Sequence, residues 1–139
     1  MNKWFSIVLA GLFLFMGCAT APVWHPLFPP EVKVNQKFSV AWPKIVAAVT
    51  DDWDIDFIDR TEGYLQTVWK VKRDFLGQND SRRRVVIRTK NKEPLEMEIK
   101  VVVQKPIFAS DDAWQDAGND IELEEKIRSK ISQSLLSTK

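Results

Sequence analysis

Alternating apolar and polar residues dominate the middle of the chain and predict a series of β-strands. The clearest case is residues 95–104, where every odd position is Leu, Met, Ile or Val and nearly every even position is charged or polar. The same period of two recurs in residues 53–57, 64–72 and 83–90. One apolar face per strand is typical of an antiparallel sheet that is covered on one side only.

Residues 38–50 change to the helical period of 3.6. Phe38, Trp42 and Ile45 begin an apolar stripe on one side of this segment. Ser39 has the side chain of a good N-cap, so we expect it to close the first turn.

Residues 119–136 predict a second helix, with an apolar stripe opposite a strongly charged side. Asn119 and Glu122 have the spacing of a capping box. Residues 105–118, between the last strand and this helix, are predicted to form a loop.

The predicted order of elements is α-β-β-β-β-α. Both helices have an apolar stripe to bury, and the sheet offers one apolar face. The sequence therefore predicts an α+β fold in which a four-stranded antiparallel meander carries two helices on one face. Gly63 lies in the turn between the first two strands, where a positive φ would suit it.

The N-terminus has the layout of a secretory signal peptide. Lys3 is followed by an uncharged run over residues 4–15, which is too short to span a membrane well. This run ends on Gly17-Cys18 and resembles a bacterial lipoprotein signal. The resemblance implies that Cys18 carries a diacylglycerol and an N-acyl chain such as palmitate. Two alternatives remain: cleavage after the A-x-A sequence at residues 19–21, or an uncleaved anchor.

A lipoprotein of this kind divides into three parts. The predicted parts are a signal peptide at 1–17, the lipidated cysteine with a Pro-rich tether at 18–36, and one α+β domain at 37–139.

The residue after the cysteine predicts the location. Ala19 at this position implies outer-membrane sorting in bacteria that use an aspartate retention rule, so we expect a lipid-anchored protein on the periplasmic face.

Two aromatic residues in the Pro-rich segment, Trp24 and Phe28, have two interpretations. Either they pack on the domain or touch lipid headgroups, or they bind an envelope protein partner, because Pro-rich peptides are preordered for recognition. His25, the only histidine, is expected to be incidental.

Composition and motifs argue against several functions. The formal net charge is +1, so no overall basic field points to nucleic acid. The single cysteine has no partner for an internal disulfide. No nucleophile–base set, phosphate loop or zinc motif is present. The cluster of Asp at 51–59 fits a solvated strand edge better than a hydrolytic acid/base pair. The cluster at 111–120 lacks the spacing of an EF-hand calcium loop, and Asp120 can be explained as first-turn helix charge. We therefore predict no catalytic residues, no metal and no enzyme activity.

The main basic stretch is a candidate for anion binding. It comprises Arg82, Arg83, Arg84 and Arg88. One interpretation is cross-strand pairing with glutamates of the next strand, which is worth about 0.2–1 kcal/mol per pair. The other is binding of anionic headgroups, a glycan or a partner.

Three short motifs occur in order along residues 38–69. They are Phe38-x-x-x-Trp42, Asp56-Phe57-Ile58-Asp59 and Gly63-x-Leu65-x-Thr67-x-Trp69. With these motifs, part of the domain resembles the BamC-like (NlpB-like) family of outer-membrane lipoproteins. The resemblance implies a helix-grip fold, in which a helix is held against an antiparallel sheet, and an accessory role in envelope assembly. The chain has room for one such domain, where BamC carries two.

The sequence thus predicts a non-catalytic, lipid-anchored adaptor or accessory in outer-membrane or envelope assembly. The alternative is a module that binds a small lipid or glycan between helix and sheet. Six aromatic residues expected in the domain favour a filled core over a hollow one.

Overall fold

The fold is mixed α+β, with two helices and a mostly antiparallel sheet of seven strands in the part of the chain described here. The computed structural model describes residues 19–32, 34–108 and 112–137. The predicted signal peptide and Cys18 lie outside these residues. The elements are β1 (His25–Pro26), α1 (Phe38–Thr50), β2 (Ile55–Asp59), β3 (Tyr64–Thr67), β4 (Lys70–Arg73), β5 (Asn79–Lys92), β6 (Leu95–Pro106), β7 (Trp114–Asn119) and α2 (Ile121–Leu136).

The long β5–β6 hairpin is the centre of the sheet. The strand order is β1-β6-β5-β3-β2, and β4 also pairs with β5 while β7 also pairs with β6. All four predicted strands are present, but the prediction of four strands in total was wrong. One predicted strand is divided into β3 and β4, and β1 and β7 add to the free side of β6.

A break at Val68 and Trp69 divides β3 from β4. The hydroxyl of Thr67 accepts a hydrogen bond from the backbone N–H of Val85 at 2.9 Å, so that buried donor remains satisfied beside the break. The break reverses the alternation of side chains, and Trp69 contacts residues on the face away from the helices. An unbroken period of two over residues 64–72, as the sequence predicts, would place Trp69 on the same face as Leu65, and that placement is wrong.

Both helices pack on one face of the sheet, here called the inner face. Alternate residues of β5 and β6 meet both helices there, so the predicted apolar face is the one that forms the core. The core residues are Leu27, Ala41, Trp42, Ile45, Ala48, Val49, Trp53, Leu65, Val85, Ile87, Leu95, Met97, Ile99, Val101, Ile127, Ile131 and Leu135.

The turn between β2 and β3 depends on Gly63. Its φ is +72°, and an added Cβ would lie 2.2 Å from Thr89 Oγ1 and 2.6 Å from Phe38 Cε2. The predicted positive φ is confirmed. The close approach of the Phe38 ring is an additional constraint that only the packed structure shows.

The predicted loop at 105–118 contains β7, which pairs with the end of β6. Helix α2 then begins at Ile121, and the N-cap is Asp120, whose side chain accepts a hydrogen bond from Leu123 N at 3.0 Å. The predicted capping box on Asn119 is therefore displaced by one residue. The Asn119 side chain instead bonds to the backbone of Val23.

Helix α1 begins two residues earlier than the predicted cap at Ser39 would place it. Its N-cap is Lys37, which makes no side-chain capping bond, and Ser39 lies inside the first turn. Packing of Trp42 and Ile45 into the core therefore sets the start of this helix, without help from a capping side chain.

The Pro-rich segment is packed onto the domain, which corrects its description as a tether. His25 pairs with Ile99 at the edge of β6, and Leu27 is fully buried in the core. Phe28 packs against the same core and is partly buried. The backbone N–H of Leu27 also donates to Met97 O at 2.8 Å. The segment thus contributes a short strand and a core residue.

Candidate binding face of the sheet

The outer face of the sheet, away from both helices, carries an unusual set of side chains. Three indole rings lie among four cationic groups on this face. We call this set the Trp–cation face. Its members are Trp24, Trp69, Trp114, Arg82, Arg84, Arg88 and Lys100.

Arg82 lies between two indole rings. Its guanidinium carbon is 4.4 Å from the ring centroid of Trp69 and 4.4 Å from that of Trp114. Its Nε donates to Gln104 Oε1 at 2.9 Å. Arg84 approaches the same Trp69 ring at 4.5 Å. Trp69 therefore orders two neighbouring cations, with about 0.5–1 kcal/mol typical of each such contact.

Trp24 organises the second half of the face. The guanidinium of Arg88 is 4.2 Å from its ring centroid, and the ammonium of Lys100 is 4.4 Å away. Trp24 precedes β1, so pairing of β1 with β6 places the ring over the sheet. Of the two partner-binding candidates in the Pro-rich segment, Trp24 lies on the Trp–cation face and Phe28 lies against the core.

Carboxylates neutralise only part of this face. Glu98 pairs with Arg88 at 2.7 Å and with Lys90 at 3.5 Å, as cross-strand pairing predicts. Within the described residues, Arg84 and Lys100 have no carboxylate within 4.0 Å. The Nε of Arg84 is buried and has no hydrogen-bond partner there.

Burial and repulsion between neighbouring cations disfavour the charged forms of the basic side chains on this face. Burial lowers the pKa of Lys100, and the nearby charges of Arg88 and Arg84 lower it further, although Asp116 opposes them. Burial also lowers the pKa of Arg82, with a contribution from Arg84. An anion placed among these groups would relieve the repulsion.

A thin apolar layer lies under the cations. Val86 and Val102 point to the outer face and are nevertheless buried, so the face is both charged and well packed. Indole rings and aliphatic stems of long cations commonly cover apolar surface in this way. The positions of the charged groups are therefore defined by packing.

The predicted anion-binding residues divide between the two faces. Arg82, Arg84 and Arg88 lie together on the outer face. Arg83 lies on the other side, where its Nε donates to Asp120 Oδ2 at 2.6 Å at the start of α2. Alternation along β5 already separates Arg83 from its neighbours, so this correction was available from the sequence.

Three members of the face were missed by sequence reasoning. The sequence predicts a loop at Trp114 and places Trp69 on the wrong side of the sheet. It places Lys100 on the outward side of its strand but does not single it out as a binding residue. Alternation places Lys100 outward, so its charge was a usable signal. The strand break at Trp69 and the pairing of β7 with β6 depend on tertiary structure.

A second polar cluster lies on the inner side around Glu124. This carboxylate is fully buried and accepts hydrogen bonds from Val101 N at 2.9 Å, Asn119 Nδ2 at 2.6 Å and Arg128 Nη2 at 3.3 Å. It is also 2.8 Å from Nδ1 of His25, which corrects the view of this histidine as incidental. The cluster ties the N-terminal segment, β6 and α2 together.

Other kinds of site find less support in the described residues. No group of three or more acidic, His or Cys side chains there is arranged to hold a metal ion. Two clefts of about 580 and 490 Å³ flank the Pro-rich segment, and both are lined by Pro26, Phe28, Pro29 and Pro30. In ranges 19–32, 34–108 and 112–137, no helix has the length and apolar character needed to cross a membrane.

No family model matches this sequence, and no curated protein matches it. The geometry of the Trp–cation face is therefore the main basis for a functional proposal.

Proposed function

We propose that this protein is a lipid-anchored bacterial lipoprotein that acts as a non-catalytic adaptor or accessory in envelope assembly. In this proposal Cys18 carries the lipid, and the domain faces the periplasm from the outer membrane. The Trp–cation face binds an acidic segment of an envelope protein partner. The signal-like residues 1–18 support the location, and the outer face supports the mode of binding.

The observation that carries this proposal is the incomplete neutralisation of an ordered cationic surface. Arg84 and Lys100 are positioned by indole rings and have no carboxylate within 4.0 Å in the described residues. Partner carboxylates would supply the missing charge, and Trp and Arg are the side chains that most often dominate protein interfaces. Electrostatic complementarity of this kind gives specificity and a fast association rate.

The fold supports the same proposal in a general way. Helix α1 packs on the inner face of the antiparallel sheet, so we propose a helix-grip-like arrangement of the type implied by the resemblance to BamC-like lipoproteins. In such an arrangement the face opposite the helix is open for a partner.

The alternative function, binding of a small lipid or glycan between helix and sheet, has weaker support. Trp42, Ile45 and Leu65 fill that region and are buried. The two clefts beside the Pro-rich segment lie outside it. A ligand module would therefore use the outer face, where indole rings could stack on sugar rings.

The proposal can be tested by crosslinking in intact cells, followed by affinity purification from membranes and mass spectrometry. We expect wild-type protein to capture a recurrent envelope protein. The double variant Arg84→Ser/Lys100→Ser should lose at least tenfold in capture, since each charged contact typically contributes about 1 kcal/mol or more. Intact mass of the same preparation shows whether Cys18 is acylated.

The matched control is Arg60→Ser/Lys126→Ser, which removes the same charges from exposed positions outside the Trp–cation face. Capture should be unchanged in this control. Equal loss in both double variants would show that net charge matters and the face does not. An acylated protein without a recurrent partner would contradict the adaptor and favour the ligand-binding alternative.

A further inference from the structure

The N-terminal residues Ala19 and Thr20 lie beside β7. Thr20 forms a parallel bridge with Ala117 of β7, with Thr20 N donating to Asp116 O at 3.2 Å and Gly118 N donating to Thr20 O at 2.8 Å. Because the bridge is parallel, Ala19 lies on the side of Thr20 that is closer to the start of β7. Trp114, the first residue of β7, pairs with Pro106, the last residue of β6.

The β4–β5 turn projects from this same end. Arg82 of β5 pairs with Gln104 of β6, so β5 begins where β6 ends. The turn at residues 74–78 lies beyond the start of β5. We call this end of the sheet, with the β4–β5 turn and the end of β6, the hairpin end.

Large apolar side chains are exposed at the hairpin end. Phe75 is 94% exposed and Leu76 is 68% exposed in the β4–β5 turn, and Phe108, just past β6, is 99% exposed. Burial of such side chains stabilises a fold, so Phe75 and Phe108, which are almost fully exposed, contribute almost nothing of this kind to the domain itself.

The β4–β5 turn is built by specific hydrogen bonds. Asp74 Oδ1 accepts from Leu76 N and from Gln78 N, each at 2.9 Å. Gly77 N donates to Asp74 O at 3.1 Å, and Gly77 has a φ of +80°. The turn thus holds its two apolar side chains outward in a defined position.

Basic residues surround this apolar tip. Residues 70–84 contain six Lys or Arg against two Asp. Lys72 and Arg73 are exposed at the end of β4, directly before the turn. The nearest carboxylate to Lys72 is that of Asp80, at 4.0 Å. An apolar tip flanked by Lys and Arg has the composition of a segment that enters the headgroup region of a bilayer.

We infer that the hairpin end docks on a phospholipid surface with anionic headgroups, with Phe75 and Leu76 inserted and with Lys72 and Arg73 at the headgroups. The inference rests on the proposed lipidation of Cys18 for its orientation, because Cys18 is the residue before Ala19, which lies on the side of Thr20 toward this end. Lipid anchor and apolar tip would then touch the same leaflet. The Trp24 half of the Trp–cation face, with Arg88 and Lys100, would then lie farther from the membrane than Arg82 and Trp114, and it would be free to meet a partner.

A fluorescent probe at the tip tests this inference. We would label Phe75→Cys with an environment-sensitive dye in the full protein and mix it with vesicles of phosphatidylethanolamine and phosphatidylglycerol. The emission should shift to shorter wavelength, and lipids brominated near the headgroup should quench it. The position control is Val40→Cys, which lies near the opposite end of β5, roughly 40 Å away by the rise per residue of a strand.

The basic residues have their own charge-matched control. Lys72→Ser/Arg73→Ser should weaken vesicle binding by the tip about 30-fold, since each basic residue near an anionic surface contributes about 1 kcal/mol. Lys37→Ser/Arg60→Ser removes the same charge from residues far from the hairpin end and should leave binding unchanged. Far-UV circular dichroism confirms that each variant is folded.

The outcomes separate this inference from the proposed function. An acylated protein whose Phe75 probe stays in a water-like environment contradicts docking and leaves the adaptor proposal intact. If intact mass shows no acylation, the lipoprotein proposal fails, and vesicles are titrated into the labelled protein instead. A probe that then shows no shift at millimolar lipid contradicts the docking inference as well.

Discussion

The inner and outer faces of the β5–β6 hairpin are built from alternate residues of the same two strands, yet they differ in how they accommodate charge. On the inner face, Glu124 is fully buried and its carboxylate accepts hydrogen bonds from Val101 N, Asn119 Nδ2 and Arg128 Nη2. On the outer face, Arg84 and Lys100 lie over indole rings without a carboxylate within 4.0 Å in the described residues.

The difference distinguishes a buried carboxylate that stabilises the fold from outer cations that contribute little to its stability. A buried carboxylate with several donors is costly to remove because those donors lose their acceptor. A cation on an indole face gains little from the contact and loses some hydration. We therefore expect stability to depend on the inner charge and binding to depend on the outer charges.

The largest effect is expected for Glu124→Gln. The variant keeps the shape of the side chain but replaces one accepting oxygen by a donor that faces other donors. We expect a loss of about 4 kcal/mol in the free energy of unfolding, as is typical when one partner of a buried charged network is removed. Urea unfolding followed by circular dichroism measures this loss.

Glu125→Gln is the matched control for that variant. Glu125 is the next residue, its side chain is 67% exposed, and it pairs with Arg128 at 3.2 Å. Surface pairs of this kind contribute little, so the change should stay within about 0.5 kcal/mol. Equal effects at the two positions would show that the buried network is not what stabilises the inner face.

A smaller effect is expected for Gly63→Ala, which tests the packing of the inner side against the β2–β3 turn. The variant combines an unfavourable positive φ with a clash against Thr89 and Phe38. We expect a loss of about 3 kcal/mol from strain and overpacking together. Thermal and urea unfolding would both report it.

Gly77→Ala isolates the strain from the clash. Gly77 has a φ of +80° and nothing within 4 Å of an added Cβ. The control should therefore lose only about 1 kcal/mol. If the two alanine variants are equally destabilised, close packing of Phe38 against Gly63 contributes nothing measurable.

The smallest effect on stability is expected for Lys100→Met on the outer face. The lost contact with Trp24 and the relieved burial of charge oppose each other, so the free energy of unfolding at pH 7 should stay within about 0.5 kcal/mol of wild type. Capture of the proposed partner should fall in the same variant. A loss above 2 kcal/mol would mean that this cation is needed for folding.

The lowered pKa of Lys100 predicts how the free energy of unfolding changes with pH. Burial, with Arg88 and Arg84, holds the pKa of Lys100 below its ordinary value of 10.5. The charged form is therefore less favourable in the folded chain than in the unfolded chain at neutral pH. As the pH rises through the folded pKa and past 10.5, this cost disappears, so wild type should gain stability relative to Lys100→Met.

Sequence reasoning predicted those parts of the fold that depend on local patterns. Alternation located the strands of residues 55–59, 79–92 and 95–106, and the helical period located both helices. The positive φ of Gly63 was also predictable. These features depend on the side-chain period of two or 3.6 and on the steric freedom of glycine, which are properties of neighbouring residues.

Features that depend on residues far apart in the chain were missed. β1 pairs with β6 across 72 to 74 residues of sequence, and β7 pairs with β6 across 8 to 17 residues. Neither short segment has a period that would reveal this pairing. His25 meets Glu124 across a sequence separation of 99 residues. No local pattern could predict that contact.

The sequence by itself determined that the protein has an α+β domain, that one side of each long strand would be buried, and that Arg84, Arg88 and Lys100 would point away from the core. Only the tertiary structure decided that Trp24, Trp69 and Trp114 would meet those cations. It also decided that Phe75 and Leu76 would share one end of the sheet with Phe108. The period of a strand determines which face of the sheet a side chain lies on. Which other side chains it contacts there depends on tertiary features such as a strand break, an added edge strand or the direction of a bridge.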